Sequence, residues 1–158
     1  MHQHQYSVQL FAQPEFSLVF LSFVFNFIWE VVQSPFYLFK REWSDNATVC
    51  TLYCTGVDVF MTLGIFWLVA CIAQNRWWFL DVTTAYQYLF LGLAVASSIF
   101  MEYLNVFVAH DWKYASFMPT VAGIGMFPIL QWLLIPQLIV FILRRQFGQG
   151  RRAAASFK

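Results

Sequence analysis

From residue 16 onward the chain alternates long apolar runs with short polar breaks. Four runs, at about 16–39, 49–73, 83–109 and 119–143, each come near or exceed the roughly 20 residues that carry an α-helix across a ~30 Å hydrocarbon core. The breaks between them are brief: Lys40 to Thr48, a turn centred on Gln74-Asn75-Arg76, and His110 to Tyr114. Short links make consecutive helices antiparallel neighbours, so the pattern predicts an all-α membrane protein, an up-down bundle of four transmembrane helices. It also divides the chain into a polar N-terminal segment over 1–15, a membrane domain over 16–147 and a flexible basic tail over 148–158. Pro35 is expected to end or kink the first run. Gly123, Gly125 and Pro128 weaken the start of the fourth, and Pro136 interrupts it further on.

Composition agrees with the pattern. Hydrophobic residues make up 60% of the chain and charged residues 11%, against about 25% charged in soluble domains. A net charge of +1 with no basic patch outside the tail argues against nucleic acid as a partner. With four spans both termini share a side, together with Arg76, Arg144, Arg145, Arg151, Arg152 and Lys158, whereas Lys40, Arg41 and Lys113 fall opposite. That bias places both termini in the cytoplasm, in a cell membrane that is the inner one if the source is bacterial. Trp43, Trp112 and Tyr114 are expected to mark one interface, and Trp77 and Trp78 the other. The first 15 residues carry no Lys or Arg, so the first run reads as a retained span rather than a cleaved signal. The three cysteines, Cys50, Cys54 and Cys71, give neither a disulfide framework nor a metal signature; small buried side chains describe them better.

The candidate chemistry lies in the polar residues that interrupt the apolar runs. Asn26, Glu30 and Gln33 are spaced four and three apart, which puts all three on one helix face. Asp58 lies in the second run and Glu102 in the third. With a rise of ~1.5 Å per residue, each of these carboxyls sits roughly 10–14 Å below the same surface. Gln131 of the fourth run reaches about that level. Thr55 and Thr62 flank Asp58 at helical spacing, and Ser98 and Asn105 flank Glu102. Buried carboxyls are costly in a bilayer, and no Lys or Arg lies inside the runs to neutralise them. Like charges this close cannot all ionise, so at least one is expected to hold a proton and to be able to act as a general acid. The aromatic share of 21% would suit a cavity that shelters a cation, although lipid-facing Phe and interfacial Trp account for most rings.

Asn26-Phe27-Ile28-Trp29-Glu30, followed by Phe36-Tyr37 and by Asp58 in the next span, resembles the integral-membrane terpene cyclases of fungal meroterpenoid and indole-diterpenoid pathways. That family typically shows an Asn-x-x-Trp-Glu segment and then an Asp in the following span. The resemblance covers the first two spans; family members have around seven spans and a further acidic residue later in the chain. It implies cyclisation of a prenyl chain by protonation, with Glu30 as proton donor and with neither metal nor cofactor. Glu102 could substitute for the later acid, or a second copy could complete the site. Trp112-Lys113-Tyr114, Met118-Pro119, Gly123-Ile124-Gly125, Pro128 and Gln131-Trp132 are also similar to small bacterial four-span membrane proteins. The size is similar to that of sterol-isomerase-like membrane proteins, which use buried acids on polycyclic lipids.

The leading expectation is a membrane enzyme that cyclises or isomerises an isoprenoid or similarly apolar lipid. Glu30, Asp58 and Glu102 would be its catalytic set, and Asn26, Trp29, Gln33, Tyr37, Asn105 and Gln131 would bind or orient. Its partners would be that lipid-like substrate and the surrounding membrane lipids. Two alternatives stand beside it: a non-catalytic subunit of a homo-oligomer or larger membrane complex, and a proton-coupled carrier.

Overall fold

The computed structural model describes residues 13–39, 47–81 and 85–156, with the side chains of 47 and 149–156 left out. The break expected at 40–48 therefore lies largely outside the described residues, as do most of the N-terminal segment and Lys40, Arg41 and Trp43. The chain is mostly helical. Among the described residues it has four long helices, α1 Pro14–Gln33, α2 Ala47–Ile72, α3 Ala85–Tyr103 and α4 Met126–Ser156, and four short strands, β1 Tyr37–Phe39, β2 Trp112–Tyr114, β3 Thr120–Val121 and β4 Ile124–Gly125. Each helix contains a stretch long and apolar enough to cross a membrane. These stretches keep Phe20, Phe60, Phe100 and Phe141 exposed, a surface that lipid solvates and water does not. That is the build of a membrane protein.

α1 packs on α2 and α4, and α3 packs on α4 and α2, so the four helices surround one core. At one end the core is a knot of rings in which Trp78 lies 5.2 to 5.4 Å from Phe90 and Phe66, with Phe79 beside them. Trp78, expected near an interface, is 1% exposed and packed within the protein. The turn after α2 causes this. Gln74 takes a positive φ of 51°, which stops the helix, and the Asn75 side chain accepts from the Trp77 amide at 2.9 Å. A single turn of 3₁₀ helix, Trp78–Leu80, then folds its rings inward. Charged groups fasten this end: Arg76 pairs with Glu15 at 2.8 Å, and Arg144 of α4 donates to the carbonyls of Phe79 and Asp81.

The other end departs furthest from the hydropathy pattern. The first α-helix stops at Gln33 rather than at residue 39, because Pro35 has no N–H to continue the ladder. The Ser34 hydroxyl, at 3.0 Å, takes the Val31 carbonyl that a residue able to donate at 35 would have used. The chain turns once as a 3₁₀ helix and enters β1. α3 gives way to a π-helical turn over Leu104–Val108, and His110, at φ 56°, ends it. β2 then pairs antiparallel with β1, matching Tyr37 with Tyr114 and Phe39 with Trp112.

The fourth span begins at Met126, not at 119. Residues 120–125 form a tight hairpin whose two turn residues, Ala122 and Gly123, have φ of 51° and 83°. Both positive values are what a two-residue turn of matching twist requires. Pro128 consequently sits in the first turn of α4, where a missing N–H costs nothing and no break results. The helix also runs past 143 and through the segment read as a flexible tail, to Ser156.

Candidate active site

Two hydrogen-bonded groups face a common cavity beneath the paired strands. The first begins at Ser22, whose carbonyl and hydroxyl accept from the Asn26 amide at 2.8 and 3.0 Å. The Asn26 side-chain oxygen in turn accepts from Gln131 of α4 at 2.9 Å, and the same Gln131 nitrogen donates to Asp58 of α2 at 2.7 Å. Gln131 thus spends both amide hydrogens tying three helices together, and it is 2% exposed. The Glu30 carboxyl adjoins that of Asp58. Gln33 orients it from one turn later by donating to Oε1 at 2.7 Å, and Trp29 donates to Gln33 at 3.0 Å. The four-three spacing of Asn26, Glu30 and Gln33 produces this relay directly.

Glu102 of α3 forms the second group. Its Oε2 accepts from the Tyr114 hydroxyl at 2.6 Å and its Oε1 from the Tyr37 hydroxyl at 3.3 Å. Because Tyr37 and Tyr114 are opposite one another in the β1–β2 pair, both phenols reach one carboxyl. Burial, reinforced by the nearby Glu102, pushes the ionisation of both phenols well above the usual tyrosine range. They stay neutral donors at any physiological pH. Both phenols donate and both carboxyl oxygens receive, so Glu102 is placed as an acceptor.

The cavity between the two groups has a volume of about 180 Å³. Glu30, Asp58 and Glu102 all line it, as do Gln33, Tyr37, Asn105 and Gln131. Asn26 and Trp29 do not; they stand behind it and act through Gln131 and Gln33. Asn105 spends its amide on the Met101 carbonyl at 2.8 Å, so its side-chain oxygen is the part left to the cavity. Thr55 and Thr62, expected beside Asp58, donate to the backbone carbonyls of Thr51 and Asp58 at 2.8 Å. A threonine inside a helix has its own preceding turn as the nearest acceptor, and that acceptor wins. Ser98 reaches across to the Pro128 carbonyl at 3.4 Å.

Residues outside the sequence-level set also form the wall. Cys50, Cys54 and Met61 of α2, Met101 of α3, Trp132 of α4 and Trp112 of β2 complete it. The Trp112 indole nitrogen is buried beside the Glu102 carboxyl, without a hydrogen bond of ordinary geometry. No Lys, Arg or His lines the cavity among the described residues, and no three His, Cys, Asp or Glu side chains among them are placed to hold a metal ion.

Gly125 of β4 supports the Tyr114 ring from below. A Cβ at this position would fall 2.5 Å from Met118 Cε and 3.0 Å from Tyr114 Cε1. Met118 can swing aside, but the tyrosine cannot move without stretching its bond to Glu102. Gly125→Ala is expected to cost about 1 to 3 kcal/mol, the usual range for overpacking. Thermal unfolding in nanodiscs reads this, and an unchanged midpoint would show that the strand end is slack.

No protein-family model, curated protein or solved structure matches the chain.

Proposed function

We propose that this protein is a membrane enzyme that cyclises or isomerises an isoprenoid or similarly apolar lipid by protonation, in an up-down four-helix bundle whose termini both lie in the cytoplasm. The bias of Lys and Arg along the sequence supports that orientation. The resemblance of the first two spans to integral-membrane terpene cyclases supports the chemistry, and these spans supply Glu30 and Asp58. The observation that carries the reading is the convergence of three carboxyls from three helices on one aromatic-walled cavity that no basic residue among those described lines.

The roles follow from the hydrogen bonds. Glu30, held by Gln33 and backed by Asp58, is the donor: its proton goes to one carbon of a substrate double bond, leaving a carbocation at the more substituted neighbour. Tyr37, Trp112 and Trp132 offer ring faces to that cation and keep water from quenching it. In a cyclisation, a second double bond attacks the cation and closes a carbon–carbon bond. Glu102, already an acceptor, removes a proton from an adjacent carbon to form the product double bond. Substrate and product are isomers, and the site resets when Glu102 releases its proton to solvent and Glu30 takes up a new one. Carboxyls are suitable for both steps because the same group type serves as acid or base according to its neighbours.

A cavity of about 180 Å³ is smaller than the roughly 300 to 1,000 Å³ of pockets that enclose drug-sized ligands. Only the reacting end of a long chain fits inside, and the remainder stays among the lipids. Expression in cells supplied with prenyl-chain precursors, followed by mass analysis of extracted lipids, tests this reading. The expected result is a new lipid isomeric with its precursor. Identical lipid profiles with and without the folded protein would refute it.

A further inference from the structure

The β1–β2 pair joins segments that follow different spans, β1 after α1 and β2 after α3, and it lies over the carboxyl that Tyr37 and Tyr114 share. Three residue pairs and one flanking bond, from the Ala115 amide to the Phe36 carbonyl at 2.9 Å, hold the strands together. So short a ribbon is marginal by itself. Glu102 ties it to α3, through the 2.6 Å bond from Tyr114 and the 3.3 Å bond from Tyr37, and beside it Phe36 packs on Phe127 of α4. Tyr37, Phe39 and Trp112 from the same strands form part of the cavity wall.

We infer that this strand pair is a latch on the cavity, fastened while Glu102 is an acceptor for both phenols and released when Glu102 carries a proton. A protonated carboxyl has one oxygen that donates. The phenol facing that oxygen must rotate away or lose its acceptor, and the short charge-assisted bond becomes an ordinary neutral one. Neither phenol can compensate by ionising, since Tyr37 is buried and Tyr114 is half-buried against the Glu102 carboxyl. The other carboxyls facing Glu102 are Glu30 from α1 and Asp58 from α2, and α2 also brings the thiols of Cys50 and Cys54 and the phenol of Tyr53 to the same cavity; α4 presents Gln131, Pro128 and Trp132, none of which titrates. The state of Glu102 therefore sets the latch without a competing cation among the described residues.

In the proposed reaction Glu102 gains its proton in the last step. The latch would then open when product is present and close once Glu102 has released its proton to solvent. This use in turnover rests on the proposed function, whereas the latch itself rests on the hydrogen bonds and can be tested without any substrate.

Cys50 and Cys54 line the cavity and report on its closure; Cys71 is exposed on the outside of α2 and is first removed by Cys71→Ser. The protein in phosphatidylcholine nanodiscs is treated with N-ethylmaleimide, and alkylation is followed by intact-mass analysis. Glu102→Gln, which keeps one oxygen acceptor and replaces the other with an amide, and Tyr114→Phe, which deletes the short bond, are each expected to raise the alkylation rate about tenfold. Tyr37→Phe, which loses only the long bond, should raise it less. Rates unchanged in both Glu102→Gln and Tyr114→Phe would overturn the latch. If Glu102→Gln fails to fold, Tyr114→Phe and Tyr37→Phe decide the matter. A latch that works in a protein forming no product would leave the inference standing and refute only the proposed reaction.

Discussion

Glu30→Gln is expected to lower product formation about a thousandfold while leaving the fold intact, within the range for loss of a positioned general acid. The substitution is nearly isosteric, and its side-chain oxygen can still accept from Gln33, as Glu30 does now at 2.7 Å. What it removes is the transferable proton. Stability should therefore change by only about 1 kcal/mol, the scale of a single hydrogen bond exchanged for a similar one. The informative comparison is turnover against the thermal midpoint of the same preparation. A variant that unfolds early would indicate that Glu30 is a packing residue, and one that retains full turnover would remove it from the chemistry.

Gln131→Leu should reduce turnover about a hundredfold, the size of effect that follows when a reacting group is misplaced by a fraction of an ångström to an ångström. Gln131 touches Asn26 and Asp58 with the same amide nitrogen, at 2.9 and 2.7 Å, and no other described side chain of α4 makes those bonds. Leucine fills a similar volume but leaves Asp58 without that donor, so the Glu30–Asp58 pair is free to turn. The stability cost should be smaller than the catalytic one, about 0.6 to 2 kcal/mol, because polar bonds between membrane helices contribute little even when buried. Turnover and midpoint again separate the two effects. Equal losses in both would make Gln131 a structural clip rather than an aid to the acid pair.

These two residues also show what was legible in the sequence. Hydropathy located the four helices, since a spanning helix needs little more than a long apolar run. Helical spacing placed Asn26, Glu30 and Gln33 on one face, and depth counting brought Asp58, Glu102 and Gln131 to their level. All but Asn26 of these polar residues now line one cavity. Hydropathy could not distinguish strand from helix in the apolar stretches 37–39 and 120–125, because both are as apolar as the spans they adjoin. Pro35 and the Ala122-Gly123 turn were the available signals. A chain break at Pro35 exposes the alternation Tyr37-Leu38-Phe39, which mirrors Trp112-Lys113-Tyr114, and their pairing would have named Tyr114 as the second donor to Glu102. Thr55 and Thr62 went the other way: spacing alone cannot tell a hydroxyl aimed at a neighbouring carboxyl from one bound to its own helix.

The acid pair and the acceptor depend on one claim, that a proton from a carboxyl starts the reaction and a different proton ends it. Turnover in deuterium oxide by the purified protein in nanodiscs, with product analysed by mass, tests this most directly. The account predicts a product that carries one deuterium at the protonated carbon, formed by the intact protein and lost in Glu30→Gln. A product with no deuterium, or one formed equally well by Glu30→Gln, would contradict it.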